Sequence, residues 1–267
     1  MSRSTGKLNK YDAFLFPPPD SVAGQHYFYV TQRPWPSLLF ILPMLVIFEV
    51  GTWLRFHGSA GRGPQLVAPF LIEWLVNALG AQGQRFPTLL TMAPGLLLVA
   101  ILLGWHVAAR HPWRVDLVVL ATMLGESLFW TIPLFVFGRV LLQSALLDSA
   151  AAREAWIDTV IRSFGAGIYE ELVFRLICIT ALVLLLIDIL RLPRTPTAIF
   201  IILFSAGLFA AHHHPPLGAD EFRITSFAFR TLAGLYLAGL FVYRGFGIAA
   251  GSHAFYNIIV ATIKAIH

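Results

Sequence analysis

Two adjacent carboxylates and a guanidinium lie in an otherwise apolar stretch of the sequence, where residues 170–175 read EELVFR. On a helix Glu171 and Arg175 are four residues apart with the acid first, the favourable order for an ion pair, and Glu170 points about 100° away. The pair neutralises itself and leaves Glu170 free. Because Arg175 keeps the local charge low, one glutamate can stay ionised and act as a base. The alternative to a catalytic role is a purely structural one, in which Glu171 and Arg175 form an ion pair and Glu170 lies at a water-filled edge.

Two further polar pairs follow on later apolar segments. His213 comes four residues after Phe209, and Asn257 comes four residues after His253, so each pair shares one face of a helix. A single histidine in a membrane helix more often bonds a neighbouring helix than performs catalysis. Carboxylates, histidines and an amide on three helices can nevertheless converge in one polar pocket, which is why the set predicts a functional site.

Such a pocket has the groups of a hydrolytic site. A carboxylate and a histidine can together activate a water molecule, and a second histidine and an amide can stabilise the oxyanion of a tetrahedral intermediate. Cys178, the one cysteine, does not compete as a nucleophile, because it lies mid-helix among Ile and Leu, where a thiol stays protonated and inert. A lone cysteine also excludes an internal disulfide and any multi-cysteine metal site.

The elements that must position these groups are membrane helices. Of the 267 residues 57% are apolar and 12% are charged, against roughly 45–50% and about 25% in soluble proteins. The net charge of +5 comes from residues scattered singly between apolar runs, which excludes a nucleic-acid-binding face and indicates contact with lipid headgroups. Sixteen arginines against three lysines hint at a GC-rich bacterial genome. We therefore expect a multi-pass integral protein of a bacterial cell membrane.

Seven apolar segments meet or approach the roughly 20 residues that a crossing needs. They are Ser37–Leu54, Thr88–His106, Leu117–Gly138, Ala155–Leu190, Pro196–His212, Ile224–Tyr243 and Ile248–Lys264. An eighth, Gln65–Leu79, has a polar face that favours an interfacial or re-entrant helix. The prediction is an all-α polytopic bundle of about seven to eight transmembrane helices. The Lys and Arg counts of the two sides are too similar to fix its orientation.

The segment Ala155–Leu190 is too long for one crossing, since 36 residues span about 54 Å as a helix. It must be broken or project from the bilayer. We expect a break at Arg162, Gly165 and Gly167, with an interfacial helix before it and a crossing from about Ile168.

The three motifs resemble those of the CAAX prenyl-protein endopeptidase and bacteriocin-processing family of intramembrane glutamic proteases, also called CPBP or Abi. That family has E-E-x-x-x-R, then F-x-x-x-H, then H-x-x-x-N or H-x-x-x-D on successive helices, and this sequence matches all three in order over about residues 155–262. The resemblance implies that Glu170 and His213 activate water and that His253 and Asn257 form an oxyanion hole. Because residues 212–214 are all histidine, His212 could replace His213.

Residues 1–36 contain no crossing, so we expect them to be an extramembrane segment. The resemblance implies that residues 37–150 are the variable membrane helices and residues 151–267 the catalytic core, and it also implies a class of substrate. In this reading Glu171 and Arg175 hold the first motif in place and Phe209 supports the second. The family implies hydrolysis of a peptide bond near the C-terminus of a membrane-associated or lipidated protein, or of an exported peptide. The expected partners are membrane lipids and a protein or peptide substrate, with no nucleic acid.

Three other functions use similar residues. A zinc protease could ligate metal through Glu170, Glu171, His213 and His253, but the H-E-x-x-H motif is absent, so we expect no metal and no cofactor. A transporter would place acids and histidines in a bundle, yet the sequence shows no two related halves. The third alternative function is a non-catalytic membrane scaffold of the same fold. The sequence does not indicate the oligomeric state.

Overall fold

In the computed structural model of the chain, residues 23–56, 93–141, 156–215, 217–218 and 220–266 are described. Their regular elements are all helical, which confirms the predicted fold class. The helices are α1 (Ala23–Thr31), α2 (Pro34–Phe56), α3 (Ala93–Ala109), α4 (Leu117–Phe129), α5 (Thr131–Leu141), α6 (Trp156–Glu171, continuing to Ile189), α7 (Arg194–Ala211), α8 (Ile224–Arg244) and α9 (Phe246–Ile266).

Six helical segments within the described ranges are long and apolar enough to cross a membrane, which makes the chain a multi-pass membrane protein. The predicted segment Thr88–His106 corresponds to α3, a shorter apolar helix of 17 residues whose predicted first turn lies outside the described part. The predicted interfacial helix Gln65–Leu79 also lies outside it. The same holds for residues 1–22 of the predicted extramembrane segment.

The predicted span Leu117–Gly138 is interrupted. Helix α4 ends at Phe129, Trp130 forms a turn, and α5 begins at Thr131. The cause is Pro133, which has no N–H to donate and whose ring excludes a helical carbonyl at Phe129.

The expected break in the long segment at Arg162, Gly165 and Gly167 is wrong. Residues Trp156–Glu171 form a continuous α-helix, which then continues through π-helical turns at Leu172–Ile179 and Val183–Ile189. The segment therefore projects as one helix of 34 residues instead of breaking. Its glycines permit close packing, since a Cβ on Gly167 would lie 2.7 Å from the backbone nitrogen of Ala254.

Helix α9 lies at the centre of the bundle. Its first nine residues, Phe246–Ala254, are all buried. They pack against α6 at Gly167 and against α2 and α4 at Gly251, where a Cβ would lie 2.8 Å from both Phe40 Cε1 and Ser127 Oγ. Small residues on α9 thus bring three helices close to the segment that carries His253.

Two isolated acids in the spans, Glu49 and Glu126, bond to neighbouring helices. The Tyr169 hydroxyl donates to Glu49. Glu126 accepts from the Arg244 guanidinium, with Nη2 at 2.7 Å, and from Tyr27 Oη at 2.7 Å, which connects α1 and α8 to α4. Arg230 pairs with Asp220 in the loop before α8.

Candidate active site

Glu170 lies on the buried face of α6 and is surrounded by three imidazoles. Its carboxylate oxygens are 3.8 Å from His212 Nε2, 3.9 Å from His213 Nε2 and 3.7 Å from His253 Nε2. These separations exceed the roughly 2.7–3.2 Å of a direct hydrogen bond. The residues from three segments therefore converge, as the spacing predicted, but with room between them.

The tautomers of His212 and His213 follow from the backbone. Both Nδ1 atoms lie within hydrogen-bond distance of the Phe209 carbonyl oxygen, at 2.7 Å and 2.8 Å. A carbonyl only accepts, so both Nδ1 atoms carry a proton, and the Nε2 atom of a neutral imidazole in this position presents its lone pair towards Glu170. Two imidazole lone pairs facing a carboxylate need a donor or a cation between them.

His213 stays neutral at physiological pH. It lies in the turn after α7, and burial lowers the pKa of its imidazole to about 4, although Glu170 nearby opposes the shift. Arg230 and His212 lower this pKa further. A neutral His213 keeps the Nε2 lone pair available as an acceptor.

Glu171 connects the remaining histidine to the ion pair. One of its oxygens lies 2.9 Å from His253 Nδ1, and the other lies 3.1 Å from Arg175 Nε. Glu171 and Arg175 are both fully buried, and the predicted i, i+4 pair is present. A carboxylate that accepts from Nδ1–H orients the imidazole and fixes its position beside Glu170.

Arg175 is enclosed by helices α7 and α8. Its Nη2 donates to the Gly234 carbonyl at 3.2 Å, and its guanidinium lies 4.4 Å from the centre of the Phe209 ring. The same ring packs edge-on against His213 and His253, with centroid distances of 5.2 Å and 5.8 Å. Phe209 therefore fixes the cation and both histidines through one aromatic side chain.

Asn257 is the predicted site residue that the structure does not connect to the others. It is half-buried on α9, one turn beyond His253, and its amide makes no hydrogen bond within the described residues. His212, predicted as a possible substitute, is as close to Glu170 as His213 is. The spacing of the motifs alone could not separate these two histidines.

Three residues beside the site were not predicted to lie there: His214, Asp220 and Arg230. The loop after α7 folds back, with the Asp220 amide donating to the His213 carbonyl at 3.0 Å. A Cβ on Gly218 would lie 2.2 Å from the His213 carbonyl carbon, so this turn requires glycine. The basic side chain of Arg230 inside an apolar segment was a sequence signal that could have indicated this cluster.

The site has the donor set of a metal centre. Ligand atoms of Glu170, His212 and His213 all lie within 4.8 Å of one another. One carboxylate and two imidazoles form a set that zinc accepts. The arrangement thus fits either a bridging water or a metal-bound water.

Comparison with known proteins supports the interpretation of the three motifs as those of a protease family. No curated protein and no solved structure shows significant similarity to the chain. Residues 152–259 match the model of a protein family, Type II CAAX prenyl endopeptidase Rce1-like, and this stretch includes all three motifs. Residues 152–259 are thus similar to the Rce1-like type II CAAX prenyl endopeptidases, a family of proteases.

Proposed function

We propose that this protein is an intramembrane endopeptidase in which Glu170 and His213 activate a water molecule. One observation carries the proposal: the carboxylate of Glu170 and the lone pair of His213 Nε2 face each other at 3.9 Å. Two acceptors at this distance repel unless a donor lies between them, and one water about 2.8 Å from each can donate to both.

The chemical step then balances on named atoms. The water oxygen attacks the scissile carbonyl carbon and its proton passes to Glu170, while His213 holds the other hydrogen. His253 and the Asn257 amide stabilise the oxyanion. The intermediate collapses by breaking the C–N bond, and Glu170 returns the proton to the leaving amine.

The family match supports a proposal for the substrate class. The name of the family specifies a prenyl endopeptidase, and we propose a peptide bond near the C-terminus of a lipidated or membrane-associated protein, or of an exported peptide. Substrates that are attached to the membrane can enter a site buried in a helical bundle from the bilayer. We further propose that the membrane is the bacterial cell membrane.

The test uses purified full-length protein in detergent and internally quenched peptides that end three residues after a farnesylated or an unmodified cysteine. Wild type should cleave, and mass spectrometry should place the cut near the C-terminus. Glu170→Gln preserves shape but removes basicity, so it should abolish cleavage. Asp188→Asn, the same chemical change in the same helix 18 residues away, is the matched control. Near wild-type cleavage by folded Glu170→Gln would refute the mechanism.

A zinc-dependent protease is the second candidate, favoured by the ligand set of Glu170, His212 and His213. Chelation should not affect a water activated without metal. If a chelator stops wild-type cleavage and zinc restores it, the metal mechanism is correct. Loss of activity in both His212→Ala and His213→Ala would agree with two ligands, whereas the metal-free mechanism predicts that His213→Ala is the severe variant. A non-catalytic scaffold would cleave none of the peptides.

A further inference from the structure

A second charged cluster adjoins the site and has no part in the mechanism above. On α8, Arg230 pairs through Nη2 with Asp220 Oδ2, and its Nη1 lies 3.5 Å from His214 Nε2. His214 Nδ1 in turn donates to the Asp220 backbone carbonyl at 3.0 Å. Because Asp220 also donates its amide to the His213 carbonyl, the cluster is attached to the backbone of a residue that faces Glu170.

The two partners of this ion pair differ in accessibility. The Arg230 side chain is 19% exposed, whereas that of Asp220 is 57% exposed. An ion pair with such an exposed partner contributes little to stability, so it opens easily. Another carboxylate can then take the place of Asp220 without leaving the half-buried guanidinium unpaired.

Arginine is the side chain best suited to bind a carboxylate, because its planar fork presents parallel N–H groups to both oxygens. The presence of Asp220 shows that a carboxylate fits there. His214 directly follows His213 in the chain, so the guanidinium lies a short distance from the reacting groups. An extended peptide covers about 3.3–3.6 Å per residue, and a few residues bridge such a gap.

We propose that Arg230 binds the C-terminal carboxylate of the substrate in place of Asp220, which makes the protein selective for bonds close to a free C-terminus. The inference rests on the proposed protease function and adds a subsite to it. Asp220 occupies this subsite in the absence of substrate and competes with the substrate carboxylate.

The test compares two peptides that differ only in their C-terminal group, which is a free carboxylate in one and an amide in the other. Wild type should cleave the acid with a KM about 10–100-fold lower, the range that a hydrogen-bonded charge supplies. Arg230→Gln should raise the KM of the acid to that of the amide and leave the amide unchanged, with Arg230→Lys between the two.

Two further variants make the test specific. Asp220→Asn should lower the KM of the acid alone, because it removes the competing carboxylate; a merely structural ion pair predicts no such gain. Arg223→Gln is the matched control, since Arg223 lies in the same loop, pairs with Glu221 at 3.6 Å and is 67% exposed. It should leave the acid-to-amide ratio unchanged.

Failure of this proposal is distinguishable from failure of the proposed function. Equal cleavage of acid and amide by wild type would overturn the subsite and leave the protease intact. Absence of cleavage of every peptide would overturn the protease function and the subsite with it. The wild-type comparison needs no variant, and Arg230→Lys and Asp220→Asn replace Arg230→Gln if that variant does not fold.

Discussion

Replacing either of two adjacent glutamates by glutamine should have opposite consequences. Glu170→Gln removes the proposed base, whose oxygens are all at least 3.7 Å from the surrounding imidazoles, so the fold should tolerate it. Glu171→Gln removes the charge that compensates Arg175, 3.1 Å away with both side chains fully buried. The first variant should be stable and inactive, and the second should be unstable.

The size of the second effect follows from burial. An uncompensated buried charge costs about 3–5 kcal/mol, because removing the partner leaves the desolvated ion in place. The Gly234 carbonyl and the Phe209 ring remain near the guanidinium, which favours the lower end of that range. For a chain of this size each kcal/mol lowers the melting temperature by about 2–4 °C, so the expected decrease is about 6–20 °C.

Thermal unfolding of the purified variants in one detergent measures this difference. Arg175→Met alone should destabilise as Glu171→Gln does, because it leaves the carboxylate unpaired. The double variant Glu171→Gln, Arg175→Met removes both charges and should recover much of the loss. The reasoning would be refuted by a Glu171→Gln variant with the melting temperature of the wild type. It would also be refuted by a double variant that is less stable than either single variant.

Three further predictions concern packing, pH and the oxyanion. Gly167→Ala should lower the melting temperature because its Cβ would lie 2.7 Å from Ala254, whereas Gly104→Ala, with nothing within 4 Å, should stabilise slightly. Because burial lowers the pKa of His213 to about 4, the unfolded chain binds more protons from about pH 6.5 down to 4. Melting temperature should therefore fall on acidification through that range, and less so in His213→Gln. Asn257→Ala should lower kcat about 10²–10³-fold with unchanged melting, and an unchanged kcat would exclude the amide from the oxyanion hole.

Local spacing was enough to predict part of the site. The i, i+4 relation of Glu171 and Arg175 depends on helix geometry alone, and the structure contains the pair even though π-helical turns begin at Leu172. The fold class followed from composition and apolar length. Convergence of Glu170 with the histidines followed from the cost of burying such groups apart.

Contacts between distant segments were not predictable in this way. Glycine reads as a helix breaker in isolation, so Gly167 suggested an interruption, whereas its contact with Ala254 shows that it permits close approach. The partner of Arg230 lies in an irregular loop, and no periodicity indicates which of its polar side chains faces α8. The tautomer of His213 depends on a carbonyl at the end of α7, which no spacing rule specifies.

The contact between Gly167 and Ala254 has a consequence for how the protein adapts to bilayers of different thickness. Membranes differ in thickness, and helices accommodate the difference chiefly by tilting. Here backbone contact prevents α6 and α9 from sliding past each other, so the pair tilts together and carries Glu170 and His253 with it. We therefore expect the spacing between these two side chains to change little between thin and thick membranes.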